Sequence, residues 1–496
     1  MNQTGGNGRV ILSVLEPGAE ETRARLAGAP AGTGLVEIRA DHLTPDSTAG
    51  LVRDCRLPVI VTVRRRSEGG AFDGGEEARE AILRSALSAG ARYVDVEWGS
   101  ALAAWADDPA LAGRVILSDH SVACDAAELA ARYASMAGRR AAVLKLVPEC
   151  KRPAEGEAIW SLLRRAAADG RRLACFGSGR AGALTRLLAL SWGSWATYGS
   201  ASAGRESAAG QFTARDLIET HHVTEIRSTT RRFAILGSRV FGSPSPAMHT
   251  ACYRDQGMDA RYFPVETDDF GAFRELVEAR DVWGLDGLAV TIPFKEAAAR
   301  RCAELDRIAR EAGAVNTVLV RPAGWAGFNT DGPAILGLIR ARLDPAGRRV
   351  AVLGAGGTAR TAAAVLRDAG ASVTLFARNR ERLRSAGEDL GLDWAIDERL
   401  SEQAWEILVH ATPRGGDGER FLPSGELRGE LVLDAVYRRD ATRLVEDARK
   451  RGLHAIDGFQ LLVEQARLQY QRLTGAPADP ERMAAAGMQW LSSRPA

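Results

Sequence analysis

The chain has 496 residues, which at about 100–200 residues per domain bounds it to two to four domains. Its 52 Gly, 19 Pro, 46% hydrophobic and 26% charged content are globular and exclude disorder, collagen and a coiled-coil rod. Lys+Arg 65 against Asp+Glu 63 nearly cancels, so neither nucleic acid nor an anionic membrane is an expected partner. The six cysteines (Cys55, Cys124, Cys150, Cys175, Cys252 and Cys302) contain no C-x-x-C pair, so neither a metal site nor a disulfide framework is expected. No apolar run reaches the roughly 18 residues of a membrane helix, and MNQTGGNG lacks the charged-then-apolar pattern of a signal peptide. The expectation is a soluble, cytoplasmic protein. Only four of the 65 basic residues are lysines: Lys145, Lys151, Lys295 and Lys450. A coding bias that replaces Lys by Arg on the surface explains the skew. Because arginine cannot serve as a nucleophile or proton shuttle, the surviving lysines become candidates for chemistry.

From the N-terminus to about residue 220, β-branched runs alternate with amphipathic Ala/Leu/Arg stretches. RVILSV, GLVEIRA, LPVIVTVR, YVDVEW, RVILSDH, AAVLKLV and RRLACFG are strands, and an eighth is expected around Trp195–Tyr198. EEAREAILRSALSAG and EGEAIWSLLRRAAADG are helices between them. This pattern predicts a (β/α)₈ barrel over 1–222, with an open doubly wound sheet as the alternative. The polar stretch HHVTEIRSTTRR (221–232) marks a boundary. A second α/β unit (230–335) has strands at FAILGS, ARYFPVE, GLAVTIP and AVNTVLVR. A third (336–455) starts at RRVAVLGAGG and continues through SVTLFARN, EILVHAT and LVLDAVY. Helices in 456–496 are expected to pack back on the middle unit. The fold class is thus α/β: a TIM barrel, an α/β substrate domain and a Rossmann-like NADP-binding domain.

In a β/α barrel the working residues sit at the C-terminal strand ends. Those ends supply Glu37, Arg39, Arg64, Glu97, His120, Lys145 and Arg186. Lys145, between Leu144 and Leu146 on a buried strand, should be held as a neutral amine by desolvation and could form a Schiff base with a ketone. His120 could then move a proton at the adjacent carbon. VEIRAD (36–41), VTVR (61–64), EGG (68–70), SDH (118–120), VLKL (143–146), G-x-x-G-x-x-T-R (179–186) and S-A-A-G-Q (207–211) together resemble type I 3-dehydroquinate dehydratase. The resemblance runs from residue 9 to about 215. It implies Lys145 as the imine-forming lysine, His120 as general acid/base, Glu68 hydrogen-bonding and orienting that histidine, and Arg186 gripping a substrate carboxylate. Glu37, Arg39, Arg64, Ser207 and Gln211 would hold hydroxyls or close the site. Thr185 and Ala209 depart from the family's usual Ser and Pro.

VAVLGAGGTART (350–361) is a strand running into Gly354-x-Gly356-x-x-Ala359 and a helix, a dinucleotide site with pyrophosphate at the helix N-terminus. The next strand ends in Ala377-Arg378-Asn379-Arg380 instead of an acid, which favours the 2′-phosphate of NADP. The S-x-S-P of 243–246, VTIPFK (290–295), AVNT (314–317), NTDG (329–332), DAVY (434–437) and GFQLLVEQ (458–465) resemble shikimate dehydrogenase, from 233 to about 490. The resemblance implies Lys295 and Asp331, the latter in a turn, as the catalytic pair. Ser243, Ser245, Thr291, Asn316, Tyr437 and Gln465 would contact substrate, and Gly354, Ala355, Gly356, Gly357, Asn379 and Arg380 the cofactor. Departures are Ala289 and His410, where Asn is common, and Glu381, which puts an acid beside the phosphate pocket.

Two of the four lysines thus occupy the two implied catalytic lysine positions. Together the resemblances imply dehydration of 3-dehydroquinate to 3-dehydroshikimate and NADPH-dependent reduction to shikimate. The alternative is a quinate/shikimate dehydrogenase half that prefers NAD. A catalytically dead half is disfavoured by the presence of every expected residue. A generic class I aldolase fused to a reductase accounts for Lys145 but not for the EGG and S-A-A-G-Q strings.

Overall fold

The computed structural model describes residues 9–206, 208–422 and 427–494. Two compact units emerge: residues up to Thr230 with Val265–Gly284, and Arg231–Pro264 with the chain from Leu285 onward.

The first unit is a barrel of β1 (Arg9–Val14), β2 (Thr33–Arg39), β3 (Val59–Thr62), β4 (Tyr93–Glu97), β5 (Val115–Asp119), β6 (Val143–Leu146), β7 (Leu173–Cys175) and β8 (Ala196–Ser200). The order is β7-β6-β5-β4-β3-β2-β1-β8, all parallel, with β1 paired to both β2 and β8. A backbone bond from Trp195 N–H to the Leu173 carbonyl (2.8 Å) bridges the remaining seam, so the barrel is nearly closed. A doubly wound sheet would instead reverse its strand order.

Strand alternation sends every second residue inward. Ile11, Leu35, Ile60, Tyr93, Ile116, Val143, Ala174 and Ala196 share one apolar core. Two residues further along the strands come Ser13, Glu37, Thr62, Asp95, Ser118 and Lys145, which are polar and yet buried. Pairing stabilises that layer: Ser13 and Thr62 hydroxyls donate to Glu37 at 2.5 and 2.8 Å, and the Ser118 hydroxyl donates to Asp95 at 2.6 Å. The barrel floor is therefore dry and its upper layer is a charge network.

The second unit carries two sheets. β9 (Arg231–Gly237), β10 (Ala260–Glu266), β11 (Leu285–Val290), β12 (Glu304–Leu305), β13 (Thr317–Arg321) and β14 (Gly324–Phe328) run in the order β10-β9-β11-β13-β14-β12, with β13 antiparallel to β11 and β14. The helix Gly458–Thr474 adds Val463, Ala466, Tyr470 and Leu473 to the core containing Phe233, Tyr253 and Tyr262. β15 (Arg349–Leu353), β16 (Ser372–Ala377), β17 (Asp393–Ile396), β18 (Ile407–His410), β19 (Leu431–Asp434) and β20 (His454–Ile456) form a parallel sheet in the order β17-β16-β15-β18-β19-β20. Both faces are covered: Val350, Val352 and Val409 enter one core, and Ala351, Leu353 and Leu408 the other. This is the strand order of a dinucleotide-binding fold, whose ligand crevice lies where the order reverses, between β15 and β18. β12, β14, β17 and β20 were not expected from the sequence. They are two to five residues long, and all but β14 are too short for a period-two signal.

His249, on the helix Ser245–Asp255, is fully buried and stacks on Tyr262 with centroids 4.2 Å apart. Burial pushes its imidazole down to about 3, and Gln469 offsets only part of that. The unfolded chain, with an ordinary imidazole near about 6.5, binds the proton first as pH falls, so stability drains away between about pH 6.5 and 3. Comparing urea midpoints at pH 7 and 5.5, His249→Phe should lose less stability than wild type, by up to about 1.4 kcal/mol per pH unit. Parallel losses in the two proteins would exclude His249 as the source.

Candidate active sites

The upper layer of the barrel opens into a cavity of about 270 Å³ lined by Glu37, Arg39, Arg64, Glu68, His120, Lys145, Tyr198, Arg186 and Gln211, among others. Ser207 lies outside the described residues. Lys145 Nζ is 3.1 Å from Asp95 Oδ2, 3.6 Å from Glu37 Oε1 and 4.2 Å from the Tyr198 ring centroid. The sequence suggested an amine neutralised by desolvation among other ionisable strand-end groups; in the structure it is a lysine held between two carboxylates. Arg64 closes the network, donating to Asp95 at 2.8 Å and to the Ser118 hydroxyl at 3.0 Å. Burial opposes the charge on Asp95, but Arg64 and Lys145 outweigh it and hold the carboxyl below the usual range. Glu37 is likewise held down by Lys145 and Arg39 against the effect of burial.

His120 sits one residue beyond β5. Burial, then the cations of Arg64 and Lys145, push its imidazole well below the ordinary range, which leaves it neutral and able to accept a proton. Glu68 Oε2 accepts from the His120 backbone N–H at 3.3 Å and lies 3.4 Å from Nδ1. The hydrogen bond therefore anchors the histidine through its backbone; Nδ1 itself is without a bonded partner among the described residues. Arg186 belongs to the helix Gly179–Leu188, not to a strand end. It is 1% exposed, its Nε and Nη2 have no acceptor in the described structure, and burial pushes its guanidinium down to about 10. A buried, unanswered cation facing a cavity is suited to an anionic ligand.

In the second unit, Lys295 opens the helix Lys295–Arg301, and Asp331 opens the helix Asp331–Arg340. Asp331 is thus the first residue of a helix, where the sequence suggested a turn. Lys295 Nζ donates to Asp331 Oδ2 at 2.5 Å and to the Thr358 hydroxyl at 2.9 Å. Asn316 Nδ2 donates to the other Asp331 oxygen at 2.7 Å, so the carboxylate is fixed at both ends. A cavity of about 530 Å³ gathers Lys295, Asp331, Asn316, Thr291, Ser243, Ser245, Tyr437 and Gln465, all eight substrate-side residues nominated from sequence. The Ser243 hydroxyl donates to Ser245 Oγ at 3.1 Å, and Ser243 also bonds the Tyr437 phenol, itself raised mainly by burial.

An adjoining cavity of about 610 Å³ is lined by Gly354, Ala355, Gly356, Gly357, Phe376, Arg378, Asn379, Arg382, His410 and Thr412, among others. Gly354 has φ +131°, and a Cβ there would lie 2.9 Å from the Ala411 carbonyl. A Cβ on Gly357 would come within 3.1 Å of Lys295 Cβ, so glycine lets this loop approach the lysine. The helix Gly357–Asp368 has no side-chain cap, leaving its first N–H groups for a phosphate. These features fit a dinucleotide. Arg380 is not brought to the cavity wall: it opens the helix Arg380–Leu390, while Arg378 and Arg382 line the wall. Asn379 lines it as well but uses its side chain to cap that helix, accepting from Arg382 N–H at 3.0 Å. Glu381, the acid expected beside the phosphate pocket, is likewise absent from that wall. Lys295, Thr358 and Thr412 line both cavities, so the two cavities meet there.

Residues missed from sequence are Asp95, Tyr198, Arg382, Thr358 and Thr412, while Arg378 was read only as part of the basic strand end. Asp95 had a signal: it stands two residues after Tyr93 and two before Glu97 on one strand face, in register with Ile116 beside Ser118.

Comparison with known proteins follows the same division. Residues 10–228 match the type I 3-dehydroquinase family, 235–318 the shikimate dehydrogenase substrate binding domain, and 349–420 the pyridine nucleotide-disulphide oxidoreductase family. The bifunctional 3-dehydroquinate dehydratase/shikimate dehydrogenase, chloroplastic, of Arabidopsis thaliana is 29% identical over 91% of this chain and 79% of its own. The NADP(+) shikimate dehydrogenase of Acidiphilium cryptum is 40% identical over 48% of this chain and 87% of its own. The solved shikimate 5-dehydrogenase of Thermus thermophilus, in complex with NADP(H) and shikimate, is 33% identical over 53% of this chain and all of that one, with a TM-score of 0.49. Over its second half the chain belongs to the NADP-dependent shikimate dehydrogenase family, and joined to that half is a type I 3-dehydroquinase domain, the pairing of a bifunctional 3-dehydroquinate dehydratase/shikimate dehydrogenase.

Proposed function

We propose specific residue roles for the two steps of this shikimate-pathway enzyme. The observation that carries them is that each half buries one lysine against carboxylate: Lys145 with Asp95 and Glu37, Lys295 with Asp331. In the barrel, Lys145 Nζ condenses with the ketone of 3-dehydroquinate, releasing water. The iminium inherits the positive charge that Asp95 and Glu37 already balance, so charge formation needs little rearrangement. Neutral His120 removes the α-proton, whose electron pair moves into the iminium, and returns that proton to the departing β-hydroxyl as water. Hydrolysis frees 3-dehydroshikimate. Arg186 pairs with the substrate carboxylate, while Glu37, Arg39, Arg64, Ser207 and Gln211 hold hydroxyls or close the site.

In the second unit, Ser243, Ser245, Thr291, Asn316, Tyr437 and Gln465 bind 3-dehydroshikimate. NADPH supplies a hydride when bound. Lys295, oriented by its hydrogen bond to Asp331, donates the proton to the ketone oxygen as it becomes the hydroxyl of shikimate. Gly354, Ala355, Gly356 and Gly357 receive the pyrophosphate, and Arg378 and Arg382 the 2′-phosphate. We assign dehydratase work to 1–222, substrate binding to 230–335 and 456–496, and cofactor binding to 336–455. No helix among the described residues is long and apolar enough to cross a membrane, and we place the protein in the cytoplasm on its six free cysteines, as a reducing compartment would keep them.

Four outcomes test these roles. Given 3-dehydroquinate, the protein should yield 3-dehydroshikimate alone and shikimate when NADPH is added, as read by product chromatography. Lys145→Ala should abolish the first step and still reduce supplied 3-dehydroshikimate; dehydration persisting in this variant would refute the imine. Because His120 is held neutral, dehydratase kcat/KM should stay level as pH falls to about 6.5 and decline only below it, the sign of a base losing activity on protonation. An acid limb centred at or above about 6.5 would contradict that environment. Arg382→Ala should raise the Michaelis constant for NADPH about tenfold while Arg380→Ala changes it less than about threefold, from the loss of one charge-assisted contact. The reverse order would restore Arg380 as the phosphate ligand.

A further inference from the structure

His410 stands where shikimate dehydrogenases commonly have Asn, and neither proposed reaction uses it. It ends β18, fully buried, in register with Asp434 at the end of β19. Asp434 already accepts from the Thr442 hydroxyl at 2.5 Å and from the Val436 N–H at 3.0 Å, and its Oδ1 lies 2.8 Å from His410 Nδ1. A carboxylate can only accept, so Nδ1 must carry the proton of that contact. In the neutral ring Nε2 is then an acceptor, and the Thr412 hydroxyl, 2.5 Å away, donates to it. With its hydrogen donated to His410, Thr412 Oγ can only accept. One lone pair meets the Arg414 backbone N–H at 3.3 Å; the other remains for the cavity that Thr412 lines.

That cavity position is decisive. Thr412 is one of the residues common to the dinucleotide and substrate cavities, together with Lys295 and Thr358, at the reversal point of the sheet order. The end of a dinucleotide that reaches this junction is the nicotinamide, and its carboxamide carries N–H donors. We propose that Asp434 and His410 form a positioning relay that fixes Thr412 as an obligatory acceptor for the nicotinamide carboxamide. The relay holds the ring's rotation against the Lys295 site. Thr412 is the contact residue; His410 and Asp434 act through it. The inference rests on the NADP assignment.

Binding of two probes to the full-length protein by calorimetry tests it: NADP⁺, and 2′-phospho-adenosine diphosphoribose, which lacks the nicotinamide. Thr412→Val, near-isosteric, should weaken NADP⁺ about fivefold, the size of one neutral hydrogen bond, and leave the shorter probe unchanged. Thr412→Ser should bind both as wild type does. His410→Leu should reproduce Thr412→Val, whereas His410→Asn, whose amide can donate to Asp434 and accept from Thr412, should keep the discrimination. Equal binding of NADP⁺ by Thr412→Val and wild type, or an equal loss of both probes, overturns the relay. Failure of wild type to bind either probe would overturn the cofactor assignment itself.

Discussion

An ammonium group removed from water must be answered by negative charge, because an unpaired buried ion costs several kcal/mol. Both halves of this enzyme are organised around that constraint. Lys145 has a relative exposure of 4% and touches two carboxylates; Lys295 is part-buried, and its carboxylate partner accepts at hydrogen-bond distance. Around each pair the remaining contacts follow from the need to satisfy the carboxylates in turn. Ser13, Thr62, Ser118 and Arg64 do this in the barrel, and Asn316 does it beside Asp331.

The two folds meet this requirement differently. In the barrel, alternation along parallel strands stacks a polar layer on an apolar one, so Glu37, Asp95 and Lys145 converge from three strands without any special turn. In the reductase, the partners open two separate helices, and convergence depends on loops. The glycine at 357 matters here, since a Cβ there would lie 3.1 Å from Lys295 Cβ and the lysine stem would have to give way by a few tenths of an ångström. One arrangement is set by periodicity, the other by close approach.

The sites also differ in how they treat anions. The barrel cavity is crowded with ion pairs, yet Arg186 Nε and Nη2 have no acceptor among the described residues, which suits the carboxylate-binding role proposed for it. The reductase substrate cavity instead presents the hydroxyls of Ser243, Ser245 and Tyr437 along with Arg239 and Lys295. On the proposed roles, 3-dehydroshikimate leaves a site that grips its carboxylate strongly and enters one that holds it by hydroxyls. The dinucleotide cavity is lined by Arg378, Arg382 and Arg414 and also by His410 and Thr412.

The sequence by itself determined the order of the longer elements, the barrel, the dinucleotide turn and a set of residues that line each of the three cavities. Those signals are local: a strand run, a glycine spacing or a motif string repeats in every chain that must make the same turn or present the same side chain. Partner identity was not local. Asp95 lies 50 residues from Lys145, and it becomes a neighbour only when β4 and β6 flank β5. The short strands β12, β17 and β20 exist through pairing with longer neighbours and carry too little pattern to be seen alone. Arg380 and Arg382 are indistinguishable by composition; the start of a helix at Arg380 decides which guanidinium reaches the cavity, since residues two apart on a helix face different directions. Tertiary structure decided these points because burial and hydrogen bonding act between residues that are adjacent in space, whatever their distance along the chain.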